Sequence, residues 1–182
     1  MKQKWVPVWV PALAVVALAQ VLPAAAADNR HGIGLAVVSG VADCDSCDDA
    51  IEFTGYSLFG KIGFTDNWGL MLTYRDMEDD EDLFLNEEDT YTQFAVQAVY
   101  MWRPTKVMRP HVKFGLERTD LEADIPGVPT VSDDDTALAV GGGFEAGSQK
   151  VAFLLDYDFT LADIFGEDFA FANFNLGIIF KF

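Results

Sequence analysis

Few residues in this chain have types and spacing suited to chemistry. Cys44 and Cys47 stand as Cys-Asp-Ser-Cys. In an exported protein that spacing reads first as a local disulfide or a pair of free thiols. A redox pair would need a βαβ context, which the flanking sequence lacks. A metal site would need more ligands than two sulfurs, although Asp43, Asp45, Asp48 and Asp49 stand nearby. His31 and His111 are the two histidines, and Ser39, Ser57, Ser132 and Ser148 are scattered along the chain. Nothing in their spacing suggests a Ser-His-acid constellation, and each histidine is expected to be a polar rim residue at the short-turn end, His111 facing the lumen. Two carboxylate clusters, residues 76–82 and 132–135, offer the oxygen ligands that Ca²⁺ or Mg²⁺ prefers. Both lack the spaced Asp-x-Asp-x-Asp-Gly loop of an EF-hand, so they read as solvated, self-repelling loops. No catalytic residue, cofactor or metal ligand is expected.

The elements that would carry these residues start after an address. Lys2 and Lys4 precede an apolar run from Val6 to Val21, broken by Pro7 and Pro11, and small residues follow up to Ala27. This is the layout of a secretory signal peptide over 1–27. No other stretch is apolar for the ~18 residues that a spanning helix needs. Residues 28–182 are then one domain. They hold 10 basic against 29 acidic residues, which excludes nucleic acid or an anionic membrane surface as a partner recruited by charge. The same segment is rich in Phe, Gly and β-branched residues, so it is not a disordered acidic chain. Its acids and its apolar side chains must be segregated.

A period of two recurs throughout. It predicts strands over 32–39, 51–64, 68–75, 90–102, 110–117, 136–146, 150–159 and 169–182, and no helix. In the third, Trp68, Leu70, Leu72 and Tyr74 alternate with Gly69, Met71, Thr73 and Arg75. The connections alternate long and short. The four long ones, taken as 40–50, 76–89, 117–135 and 160–168, hold 4, 9, 7 and 3 acids, or 23 of the 29. The connection 103–109 instead holds Arg103, Lys106 and Arg109. Long loops at one rim and short turns at the other are the hairpin logic of a transmembrane β-barrel. The expected fold is all-β, an eight-stranded antiparallel up-and-down transmembrane barrel. Its interior is just wide enough for side chains, and bulky Phe59, Met71, Leu154 and Phe171 fall on the inner face. Lys61, Arg75, Lys113, Glu117, Glu145, Asp156 and Asp158 fall on that face too. Cut off from bulk water, these charges are expected to pair with one another. Trp68, Tyr100 and Trp102 sit near the short turns, where an aromatic girdle belongs.

The end of the chain carries a resemblance. In Ala172 to Phe182 the side chains at every second position back from Phe182 are apolar, over a length that crosses a bilayer, ~9–11 residues. Asn175, Gly177, Phe180 and Phe182 resemble the C-terminal signal that the assembly machinery of the bacterial outer membrane reads. Residues 32–182 as a whole resemble the OmpA-like and OmpX-like small outer-membrane barrels. The turn Thr65-Asp66-Asn67-Trp68 opening into Gly-Leu, and Arg109-Pro110 opening into Val-Lys-Phe-Gly-Leu, are similar to small members of that family. The resemblance implies a monomer in the outer membrane of a Gram-negative-type envelope, in contact with its lipid and lipopolysaccharide. It implies a structural or adhesin-like role, with an extracellular partner met through the acidic loops. A small-solute pore is the alternative. A lipid-modifying enzyme is the weaker one, because neither histidine is followed two residues on by the serine that outer-membrane lipid deacylases need.

Overall fold

A computed structural model describes residues 31–44, 50–79, 90–102, 107–123 and 131–182. Eight strands follow in chain order: β1 Gly32–Cys44, β2 Ile51–Gly63, β3 Trp68–Asp79, β4 Thr90–Met101, β5 Met108–Ala123, β6 Val131–Gly147, β7 Val151–Ile164 and β8 Glu167–Lys181. Each pairs antiparallel with the next. β1 then pairs with β8, from Gly32↔Lys181 to Cys44↔Phe169, so the barrel is closed. Closure matters because hydrocarbon offers no partner to an open edge of N–H and C=O groups.

The start of β1, the end of β8 and the β2–β3, β4–β5 and β6–β7 connections lie at one end, the turn end. In the β2–β3 turn, Thr65 Oγ1 accepts from the N–H groups of Asn67 and Trp68, and Asn67 Nδ2 donates to the Met101 carbonyl at 2.8 Å. The opposite end is the loop end.

Strands of 12 to 17 residues exceed the ~9–11 that a crossing needs. The long connections are shorter than the sequence predicts. Residues 40–44 belong to β1, 76–79 to β3, 117–123 to β5 and 131–135 to β6. The connection read as a loop over 160–168 is a hairpin that turns at Phe165 and Gly166, with φ of 58° and 79°. Positive φ at both central residues is what a two-residue type I′ hairpin turn requires. Acidic composition hid these strands, but their period of two continues.

What changes at the loop end is the polarity of each face. Across the middle of the barrel the outward residues are apolar, as with Leu72, Val96, Phe114, Val140 and Leu176, and the inward ones are polar. Further along, Asp76, Glu78, Asp120, Glu122 and Asp134 point outward. Inward stand Val38, Ala42, Phe53, Met77, Tyr91, Leu121, Ala162, Ile164, Phe169 and Phe171, a buried apolar layer. Met77, which the sequence suggested as a loop contact, is fully buried there. The loop-end section is built like a water-soluble barrel stacked on a lipid-soluble one.

The aromatic layer needs room on β1. Gly40 pairs with Phe53, and a Cβ on Gly40 would lie 2.1 Å from the Phe53 ring. A second dry layer of Ala36, Phe59, Met71, Val99, Ala152, Leu154 and Ile179 lies toward the turn end.

Candidate functional site

Buried ions run between the two dry layers, and a second group lies on the turn-end side of the second layer. Strand parity brings them inward from β2, β3, β5, β6, β7 and β8. Arg75 is fully buried. Its Nη1 donates to Glu117 Oε2 at 2.6 Å, its Nη2 to Asp158, and its Nε to Asn175 Oδ1 at 3.4 Å. Lys113 donates to Asp156, and also to Asp158 Oδ2 at 2.8 Å. Gln97 Nε2 donates to Asp158 Oδ1 at 2.8 Å, and Thr160 Oγ1 to Glu117 Oε1 at 2.8 Å. Nearer the turn end, Lys61 donates to Glu145, and Lys181 Nζ lies 2.7 Å from Glu145 Oε2. Among the described residues these ion pairs join four buried cations to four carboxylates. In a low-dielectric interior that balance and the extra hydrogen bonds are what make burial tolerable.

The structure therefore brings together Lys61 with Glu145, and Arg75, Lys113, Glu117, Asp156 and Asp158 with one another. Five participants were missed from sequence. Lys181 and Asn175 share a parity, so Lys181 was legible as inward. Gln97 sat on the face already read as wet. Thr160 was hidden in the misread loop. His111, expected at the rim facing the lumen, does face inward, but it is buried, and its Nε2 stands 2.9 Å from Asp156 Oδ1. His31 does lie at the turn-end rim, stacked on Phe182 at 6.4 Å. The run Gly141-Gly142-Gly143 was a usable signal, since glycines inside a strand mark a close approach. A Cβ on Gly141 would lie 2.7 Å from Asp158 Oδ1 and 2.8 Å from Lys113 Cε.

The acidic cluster 132–135 has a structural use. β6 and β7 pair from Gly147↔Ala152 only as far as Ala139↔Thr160. Beyond that level, Asp135 Oδ2 accepts from the Asp163 N–H at 2.8 Å and Asp133 Oδ2 from the Phe165 N–H at 2.6 Å. Carboxylates stand in for main-chain carbonyls along that seam. Asp134 faces outward and pairs with Arg118 at 3.2 Å. Among the described residues no three His, Cys, Asp or Glu side chains are grouped to hold a metal ion. Cys47, residues 80–89 and residues 1–27, expected to be a signal peptide, lie outside the described residues, and Cys44 ends β1.

Of the residues matched to the assembly signal, Asn175 points into the lumen, and Phe180 and Phe182 point outward and are exposed. Gly177 lies against the β1 backbone, where a Cβ would come 2.3 Å from the Leu35 carbonyl oxygen. On the exterior of the turn end, Trp68 and Tyr100 have ring centroids 4.9 Å apart, as do Tyr100 and Trp102. Such a cluster at the end of an apolar band marks the membrane interface.

A closed barrel with an apolar outside, an ionic inside and aromatics at one rim is a transmembrane β-barrel. The outer membrane protein beta-barrel domain family matches residues 11–182, and the chain belongs to it. Its place is the outer membrane. Among solved structures it is similar to Ail, the attachment invasion locus protein of Yersinia pestis, with a TM-score of 0.66 at 16% identity, covering 84% of this chain and 97% of Ail. It is also similar to Neisserial surface protein A, with a TM-score of 0.72 at 10% identity over 84% of this chain and 97% of that one. A third is OprG from Pseudomonas aeruginosa, at 0.63 and 14%, covering 84% and 95%. No curated protein matches by sequence. At these identities the likeness shows the fold.

Proposed function

We propose that this protein is a surface-interaction barrel, an adhesin-like platform whose loop end meets a cationic partner outside the cell. The observation that carries this reading is the reversal of face polarity along the strands. The apolar band ends well before the strands do, so the ends of β3, β5 and β6 stand clear of lipid with acids outward. The charge sign selects the partner class. Ail has been crystallised with the heparin analogue sucrose octasulfate, a polyanion. An acidic rim repels a polyanion and favours a basic partner. In this reading residues 1–27 are removed on export, the barrel is monomeric, and the loop end faces outward.

Two dry layers on either side of a paired ionic centre argue against a steady pore. The His111–Asp156 pair argues little for an enzyme, because His111 Nδ1 has no partner among the described residues and no serine completes the relay.

The test is binding of the barrel in nanodiscs to host cells and to basic peptides. Asp76, Glu78, Asp120, Glu122 and Asp134, the outward acids of those strand ends, would be replaced together by their amides. The neutralised barrel should keep heat-modifiable migration and lose binding, and the parent's binding should weaken with salt as the Debye length falls below ~10 Å. Equal binding by parent and neutralised barrel would sink the reading. Planar-bilayer recording should show no steady conductance. A large, stable one would favour the pore.

A further inference from the structure

The turn end carries the opposite charge to the rest of the molecule. Lys61 and Lys181 are both buried, and both converge on one carboxylate, Glu145. Arg109 neighbours Glu145 across the β5–β6 pairing. Lys181 and Arg109 are close enough to repel the Lys61 ammonium. The other lumen carboxylates are committed deeper in, Glu117 and Asp158 to Arg75, and Asp156 to Lys113 and His111. Among the described residues, two buried ammonium groups thus share one lumen carboxylate at this end, and the part-exposed Arg109 adds a third positive charge beside them. Like charges set this close repel, so the arrangement favours an anion.

The place for one is open. Lys61 and Arg109 line a shallow cleft, open to solvent, together with Thr65, Asn67, Trp68 and Met101. Thr65 Oγ1 accepts from two backbone N–H groups, which leaves its O–H proton to donate. Asp66 also borders the cleft, but it is exposed on the turn and already has an interaction of its own. Trp68 belongs at once to the cleft wall and to the exterior aromatic cluster. The mouth therefore opens at the depth where lipid head groups lie.

We propose that this cleft binds one phosphate-type oxyanion, held by the Lys61 ammonium, the Arg109 guanidinium and the Thr65 hydroxyl. A tetrahedral oxyanion offers acceptors in several directions, which suits donors arriving from β2, from the β2–β3 turn and from β5. The same chemistry has two sources. One is the phosphodiester of a lipid in the leaflet at the turn end, the other is inorganic phosphate in solution.

The experiment uses the barrel in alkyl glucoside micelles, which contain no phosphorus. Inorganic phosphate is titrated while the ¹⁵N signals of Arg109 and the Trp68 indole are followed. A saturable shift is expected. Arg109→Gln should weaken it at least tenfold, and Arg109→Lys should restore most of the loss. Lys150→Gln, an exposed cation on another turn, should change it less than twofold. In a second arm, native mass spectrometry compares retention of phosphatidylglycerol with that of an uncharged diacyl glucoside. Selective retention of phosphatidylglycerol that is lost in Arg109→Gln identifies the lipid as the source. Saturation by phosphate without that retention identifies the free ion. The proposal is overturned if neither probe saturates, or if Lys150→Gln weakens binding as much as Arg109→Gln.

Discussion

Replacing Arg75 tests the lumen network most directly. Arg75→Met keeps much of the side-chain volume and removes the charge. Its two carboxylate partners would then fare differently. Asp158 keeps Lys113 and Gln97, each at 2.8 Å. Among the described residues Glu117 keeps only the Thr160 hydroxyl at 2.8 Å. A buried carboxylate stripped of its cation costs about 3–5 kcal/mol, and here nearly all of that falls on Glu117. The double variant Arg75→Met/Glu117→Gln removes the stranded charge while leaving an amide for Thr160. Since a buried pair replaced by neutral groups of like size is often near neutral, the double variant should recover to within about 1–2 kcal/mol of the parent. The exposed Glu122→Ala gives the baseline, within about 0.5 kcal/mol. The assay is reversible denaturant unfolding of the barrel in lipid or detergent, read as a double-mutant cycle. Arg75→Met within 1 kcal/mol of the parent, or additive single effects, would refute the reasoning.

Gly40→Val should destabilise by about 1–3 kcal/mol through overpacking on the Phe53 ring. Shortening that ring in Gly40→Val/Phe53→Leu should return part of the loss in the same unfolding assay. Deleting Phe182 should abolish assembly in cells, scored by heat-modifiable migration of outer-membrane fractions, and normal assembly would remove this residue from the insertion signal. The double change Cys44→Ser/Cys47→Ser should leave assembly intact. A loop closed by two intervening residues contributes little, on the order of 1–2 kcal/mol, and loss of folding or metal found by elemental analysis would contradict the local-disulfide reading.

The membrane part of this fold was legible because lipid enforces a strict rule. An outward charge there is expensive, so alternation from Trp68 to Tyr74 or from Val151 to Phe159 can only be read one way. Parity then delivered the inward charges, since a one-residue slip would place them in hydrocarbon. The loop-end strands escaped for the converse reason. Beyond the bilayer, water tolerates Asp76, Asp120 or Asp134 on the outer face, and the composition of these stretches imitates a loop. Only the apolar residues between the acids, such as Met77, Leu121 and Ile164, marked the strand, and each is isolated in the sequence.

The sequence by itself determined strand number, face and membrane placement, because those depend on local periodicity and on solvent. The tertiary structure decided which charges meet. Arg75 pairs with Glu117 across 42 residues and with Asp158 across 83, and no local pattern encodes such partners. Barrel closure, strand tilt and the space left by Gly141 set them. The same holds for the Asp133 and Asp135 stitches to β7 and for the convergence of Lys61 and Lys181 on one carboxylate. Pairing in a low-dielectric lumen depends on distances of a few ångströms between strands far apart in the chain, and those distances exist only once the barrel has closed.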